Sequence, residues 1–513
     1  METWFIIIVS LCIATIIKTI ISHWRSNNNN LPPGPSLLHS SFLILTNSPS
    51  NFKPVLINLK SKYGPIFTLH TGLGPSTFVV SHSFAHQVLV KKSAIFSDRP
   101  NIFINFNIST APYGPIWRLL RRNLASGIMH PSRIKSYSEA RKWAVCRLIK
   151  SLLEQQGDHE HGVKVVDHVY HAIFRLMVLM CFGEKFDESR VEEIAKVQRE
   201  MLLIVGSGRF NMLTMFPKVG KILFSSIWKK FEKARDDKER VLVPIIKSRI
   251  ESLACFETEK VAYVDTLVNL QVNENGGKLN DREMVSMCGE FLTGGTDTTA
   301  TALQWILANL VKNVHIQRKL YDEIVAVVGP PPAPGLEQEA DLELVINEED
   351  LVKMPYLKAV VLEGLRRHPP AHFVLPHRVT KEVEVQGYMF PKGAIINFMV
   401  GEMGLDSKVW DEPMEFKPER FLVNDAGDCV FDISGKKGIK MMPFGAGRRI
   451  CPGLDMAMLH LEYFVANLIW YLDWSVADGY NVDLSEKTEI TVVMKDPLIA
   501  KVSSRNRARD PTI

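Results

Sequence analysis

Near its C-terminal end the chain reads Phe444-Gly-Ala-Gly-Arg-Arg-Ile-Cys451-Pro-Gly453, one thiol beside two guanidinium groups and among three glycines. Without a Cβ, glycine lets the backbone approach whatever the segment faces, and positive charge beside a thiol favours its anion. Backbone N–H groups aimed at the sulfur would hold a thiolate and tune any metal it binds. A helix expected over about 454–472 starts just after Cys451, and a helix N-terminus favours an anion as well. Three chemistries compete for this segment. A phosphate loop of the GxGxxG type would need glycine where Ile450 stands, and no GxxxxGK[ST] pattern is present here. A nucleophilic cysteine would need a histidine base, which sequence cannot place in space. The third is an axial thiolate on haem iron.

Other residues carry weaker signals. Glu363 and Arg366 stand three apart, on one face of a helix. Alone, such a pair reads as a surface ion pair worth under about 1 kcal/mol. With Arg420 as a third member, a fixed bidentate network becomes available. Gly294-Gly-Thr-Asp297-Thr298-Thr299 falls inside a long helical pattern over about 282–315, with Met284, Met287, Cys288, Phe291 and Leu292 at helical spacing. Glycine there costs about 1 kcal/mol relative to alanine. Thr and Asp side chains compete for the same backbone hydrogen bonds. A local violation of this kind is expected at a functional site, and its plainer reading is a kink packed on a neighbour. His159 and His161 lie two apart in a polar loop and read as solvated rather than as a metal pair.

These residues need a large scaffold, and the chain supplies one. Its 513 residues, 46% hydrophobic, can bury a sizeable core without disulfides. With 61 basic against 56 acidic residues the formal charge is only +5, which gives no support to nucleic-acid binding as the main task. Proline (28) and glycine (31) are at ordinary levels, so a disordered or collagen-like chain is excluded. The seven cysteines are odd in number and widely spaced, which excludes CxxC motifs and points to a reducing compartment.

Residues 4–21 are apolar apart from Lys18 and scattered hydroxyls, close to the roughly 20 residues that span a hydrocarbon core. Met1-Glu2-Thr3 lacks the basic start of a cleaved signal, whereas Lys18, His23 and Arg25 come later. The charge bias predicts an uncleaved anchor over 1–24 with the following chain in the cytosol. Residues 25–40, containing the asparagine run and Leu31-Pro-Pro-Gly-Pro35, read as a stiff polar linker. On this topology the sequon Asn107-Ile-Ser109 faces the cytosol and stays bare. Residues 41–505 read as one mainly α domain with small β-sheets, and 506–513 as a polar tail. The strand signals fall at 66–69, 77–80, 383–385 and 394–397, and a proline-rich surface loop at 329–335.

FGAGRRICPG has all five defining positions of the FxxGxRxCxG haem loop, and in this the chain resembles the cytochromes P450. Glu363-Gly-Leu-Arg366 is similar to the family's ExxR motif and Phe416-Lys-Pro-Glu-Arg420-Phe to its PERF box. The segment from Gly294 to Thr299 resembles the oxygen-activation motif, and Trp117-Arg-Leu-Leu-Arg121 the WxxxR of a haem-facing helix. The order also agrees, and the texture, METWF included, looks most like the plant microsomal family 89, subfamily A.

The resemblance implies a P450 fold behind an N-terminal transmembrane helix, and a haem-thiolate monooxygenase on the endoplasmic reticulum membrane. The cofactor would be haem b, its iron bound by Cys451. Phe444, Gly447 and Gly453 would shape the loop, and Trp117, Arg121, His377 and Arg449 would meet the propionates. Asp297 and Thr298 would relay protons, while Glu363, Arg366 and Arg420 would secure the loop. The chain has no recognisable flavin or NADPH segment, so electrons from NADPH would come through a separate cytochrome P450 reductase. Lys436, Lys437, Lys440, Arg448 and Arg449 are its candidate docking face. The implied pocket draws on 102–112, 203–213, 291–295, 372–375 and 491–493, largely apolar segments that suit a hydrophobic small molecule. Phe373 and Val374 should lie near the iron. The competing reading is a membrane-tethered haem protein that binds a ligand or partner without turnover. A thiol hydrolase would leave Glu363, Arg366 and Thr298 unexplained.

Overall fold

Strands β1 (Ile66–Thr71) and β2 (Gly74–Val79) pair antiparallel, with Ile66 opposite Val79. Strands β3 (His377–Arg378) and β4 (Ile395–Phe398) complete a sheet of order β1-β2-β4-β3, with β2 and β4 parallel. Residues Val383–Val385 and Tyr388–Phe390 form a separate hairpin. All four expected strand signals are thus strands. Phe67, Leu69, Val79, Ile396 and Phe398 belong to an apolar core distinct from that of the helices. A computed structural model describes residues 30–47, 52–71, 74–100, 107–158, 162–207, 210, 224–255, 261–272, 277–331, 345–423, 428–429 and 431–505. The expected anchor, the start of the linker, His159, His161 and the tail lie outside the described residues.

The helices that matter for the site are α1 (Pro115–Ser126), α2 (Val165–Phe182), α3 (Ser225–Cys255), α4 (Asp281–Lys312), α5 (Pro355–Arg367) and α6 (Leu454–Tyr471). Helix α4 starts at a capping box, with the Asn280 side chain accepting from the Glu283 N–H and the Glu283 carboxylate from the Asn280 N–H. It ends at Lys312, and a second helix, Val314–Val328, follows Asn313. The long helix expected over about 282–315 is therefore present and ends three residues early, because Asn313 leaves helical geometry and its side chain donates to the Asn309 carbonyl at 2.9 Å. Leu303, Trp305, Ile306 and Leu307 have no exposed surface, so α4 runs through the middle of the larger core. Each such side chain contributes about 1.5–3 kcal/mol by leaving water.

Helices α2, α3, α5 and α6 all pack on α4. Helix α2 packs tightly on α4 at Gly295, where a Cβ would overlap the Met177 side chain. Helix α2 is long and apolar enough to cross a membrane, but 67% of it is buried in the protein, which makes it a core helix. The fold is mainly α with small sheets, as expected.

Candidate functional site

Cys451 is half-buried, two residues before the Gly453 N-cap of α6, and its backbone N–H donates to the Phe444 carbonyl at 2.8 Å. The bend in the loop depends on Gly447, which has φ +70° and lies where a Cβ would overlap the Leu89 carbonyl. Burial pushes the Cys451 thiol up, while the Gly453 N–H and the Arg121 guanidinium draw it down. The charge that helps the sulfur thus comes from Arg121 on α1, and not from Arg448 and Arg449 of its own segment.

Arg121 Nη2 donates to the Ile450 carbonyl at 2.7 Å, tying α1 to the thiol loop. Arg449 turns inward. It donates to the carbonyls of Ser97 (2.8 Å), Ile108 (3.1 Å) and Ala111 (2.7 Å), and its guanidinium lies 4.4 Å from the Trp117 ring centroid. So occupied, Arg449 is not part of an outward docking face, which corrects one expectation. Arg448 is exposed and hydrogen-bonded to Tyr113 and Ser93, and Lys436, Lys437 and Lys440 are exposed as well.

His377 is buried in the four-stranded sheet, its Nδ1–H donating to the Phe96 carbonyl at 2.7 Å. Burial, with the Arg99 charge next, lowers its pKa to about 3, so the ring is neutral and Nε2 is an acceptor. A carboxylate at Nε2 would reverse that balance by favouring the doubly protonated ring. Trp117 Nε1 is a buried donor with no partner among the described residues. Such a donor calls for an acceptor. Together with Arg121 and Arg449 it makes a cationic, donor-rich patch beside a thiol, which fits an iron porphyrin with acidic side arms.

On the opposite side, α4 stays helical through residues 294–299. The expected distortion takes a subtler form, with Thr298 Oγ1 donating to the Gly294 carbonyl at 2.7 Å while Thr298 itself is exposed. A Cβ at Gly294 would meet nothing, so the helix faces open space there. Burial raises the Asp297 carboxyl to about 6, against the pull of Arg199. That value lets Asp297 both accept and give a proton near neutral pH.

The Glu363 triad assembles as expected. Glu363 and Arg366 are fully buried and bidentate, at 2.7 and 2.8 Å, and Arg420 Nε donates to Glu363 Oε1 at 3.1 Å. Arg366 also holds the carbonyls of Gly404, Pro413 and Glu415. The triad therefore grips residues 404–420, which lead to the thiol loop, and its effect on Cys451 is indirect.

Two of the expected pocket segments, 102–112 through Ile108 and Ser109 and 491–493 through Thr491 and Val492, are bonded to α4. Trp305 Nε1 donates to the Val492 carbonyl at 2.7 Å, and Thr301 pairs with Thr491 at 2.8 Å. Val374 lies beside Gly445 of the thiol loop, and Leu375 is exposed. Two residues escaped the sequence reading. Arg99 Nη1 donates to the Leu375 and Pro376 carbonyls at 2.8 and 2.9 Å, and Glu290 accepts from the backbone of Ile108 and Ser109. Nothing in Ser97-Asp98-Arg99-Pro100 marks the first, but a lone carboxylate in the apolar stretch 284–292 was a usable signal for the second.

The cytochrome P450 family model matches residues 32–502. The chain belongs to that family. Cytochrome P450 89A9 of Arabidopsis thaliana is 43% identical over 98% of this chain and 99% of its own length. The flavonoid 3'-monooxygenase of the same plant is 29% identical over 98% of each chain. A zebra fish cytochrome P450 solved with progesterone superposes with a TM-score of 0.71, at 22% identity, covering 88% of this chain and 99% of that one. This P450 is accordingly an enzyme of the monooxygenase class that uses haem iron.

Proposed function

We propose that this P450 inserts one oxygen atom of O2 into a hydrophobic small molecule, with Cys451 as the residue that would bind the iron of haem b. The reading is carried by one juxtaposition, the Cys451 loop beside Arg121, Arg449 and the unpartnered Trp117 Nε1, with Thr298 facing open space on α4. Bound haem would supply activation of O2 and transfer of the oxygen atom. Arg121, Arg449, Trp117 and His377 would hold its propionates, and Phe444, Gly447 and Gly453 would shape the loop around the sulfur.

The chain's own work is proton management. Asp297, raised to about 6, takes protons from solvent near neutral pH. Thr298 passes one on from Oγ1, which releases the Gly294 carbonyl to do so. Gly294 keeps that wall of the pocket open for a small molecule. Electrons come from NADPH through a separate reductase that docks on Lys436, Lys437, Lys440 and Arg448. Residues 1–24 anchor the protein in the endoplasmic reticulum membrane, 25–40 hold the catalytic domain of 41–505 in the cytosol, and 506–513 form a polar tail. The intact Asp297–Thr298 pair favours turnover over ligand binding alone.

The test is the spectrum of the reduced, CO-bound protein in microsomes, beside Cys451→Ser. A strongly red-shifted haem band that the variant loses is the expected result. Well-folded protein with no haem spectrum would refute the reading. Charge reversal of the three lysines that leaves reductase-driven NADPH consumption intact would refute the docking face.

A further inference from the structure

Five backbone groups between Ile108 and Ala111 are held by charged side chains from distant parts of the chain. Glu290 Oε2 accepts the Ile108 N–H and Glu290 Oε1 the Ser109 N–H, both at 2.7 Å. Arg99 Nε donates to the Ser109 carbonyl at 2.9 Å, and Arg449 to those of Ile108 and Ala111. The same Arg99 holds the carbonyls of Leu375 and Pro376. Two segments assigned to the pocket wall are thereby fixed to each other, to the thiol loop and to α4. These bonds go to backbone, and the Ser109 hydroxyl adds one side-chain bond to Glu290.

Of the residues in this clamp, Glu290 is the one that stands apart from the Cys451 loop. It precedes Gly294 by four residues and Thr298 by eight, so the wall and the proton-delivering hydroxyl hang from one face of one rigid helix. A carboxylate inside the protein costs several kcal/mol unless donors and a counter-charge meet it. Two amides and the Ser109 hydroxyl meet it, and the charge of Lys238 on α3 acts on it from farther away. Lys238 reaches α4 over Gly289, where any Cβ would overlap its Nζ. Burial pushes Glu290 up and Lys238 down to about 8, and each charge draws the other back.

We propose that Glu290, backed by Lys238, is the positioning residue that sets the inner wall of the substrate pocket. It selects which bulky molecules reach the iron and leaves haem binding itself to other residues. The proposal rests on the haem-monooxygenase reading of the site. In Glu290→Gln one amide loses its acceptor and meets a like N–H donor, so segment 108–111 must shift.

The experiment titrates the ferric full-length protein in microsomes with imidazole, a small iron ligand, and with clotrimazole, a bulky one. Wild type, Glu290→Gln, Lys238→Met and the double variant are compared. Haem content and the reduced-CO band should persist in all four. Imidazole affinity should stay within about twofold, whereas clotrimazole affinity should change by about tenfold in Glu290→Gln. Lys238→Met should shift it in the same direction by less, and should add little to Glu290→Gln because the two act as one unit. A ratio of the two affinities that stays constant, with or without a fall in Tm, would overturn the proposal and leave Glu290 a purely structural group. Should Glu290→Gln fail to retain haem, an unchanged ratio in Lys238→Met overturns it equally. Failure of the underlying reading looks different, because it appears in the wild type as folded protein without haem, and it takes the proposal down too.

Discussion

Glu363 and Glu290 are both carboxylates carried into the protein on helices, and they are neutralised in opposite ways. Glu363 meets two guanidinium groups and the Lys417 N–H, all within residues 363–420. Glu290 meets two amides of a segment almost two hundred residues earlier, with one lysine behind it. The first network closes on itself and fixes a stretch of fold. The second joins separate parts of the chain and fixes the shape of a cavity. A buried charge is not by itself a stability device, since what it is bonded to decides what depends on it.

The sharpest way to break this comparison is Glu363→Gln, which strands Arg366 and should cost about 3–5 kcal/mol. Urea unfolding and haem content would read it, with loss of haem expected. A variant that keeps its haem and unfolds near the wild-type midpoint would put the two carboxylates on the same footing. Thr298→Ala is the next largest and should act on chemistry alone. Product per NADPH should fall by about tenfold to a hundredfold, with peroxide rising in its place, while the urea midpoint holds.

Asp297→Asn tests a third carboxylate, one with only its own amide and the charge of Arg199 to set against burial. Its pKa is raised, so the protonated form is the one the fold prefers, and stability is lost as pH rises through about 6. Asparagine removes that loss. The variant should therefore melt at the wild-type temperature at about pH 4 and above it at about pH 8, while proton delivery slows. Parallel melting curves across that range would mean Asp297 is better solvated than its surroundings indicate. Smallest of all, Arg420→Lys keeps the charge near Glu363 but gives up the bonds to the Asp411 and Glu412 carbonyls, at about 1 kcal/mol. A shift in the CO-bound spectrum with that variant would show the triad acting on Cys451 more directly than its bonds suggest.

The contrast also explains what could be read from the residues alone. Glu363 and Arg366 are three apart on one helix, so their pairing is a local matter that helical geometry dictates. The thiol loop, the helix over 454–471 and all four strands are local in the same sense. Glu290, Arg99 and the inward turn of Arg449 are not, because their partners lie far away in sequence and are backbone groups, which carry no residue signature. The end of α4 falls three residues before its expected place, because apolar periodicity continues past Asn313 at Ile316 and Leu320.

The parallel pairing of β2 with β4 has a consequence for biosynthesis. Ser76 and Asn397, hydrogen-bonded across that pair, are 321 residues apart. At roughly 5–20 residues per second the ribosome needs about 15–65 s to deliver the second strand after the first. Throughout that interval β2 has one open edge and the apolar face of Phe67 and Val79 lacks its cover, a template for pairing with other chains. Yield in a foreign host should therefore respond to translation speed and chaperone supply more than to the thermodynamic stability of the finished protein.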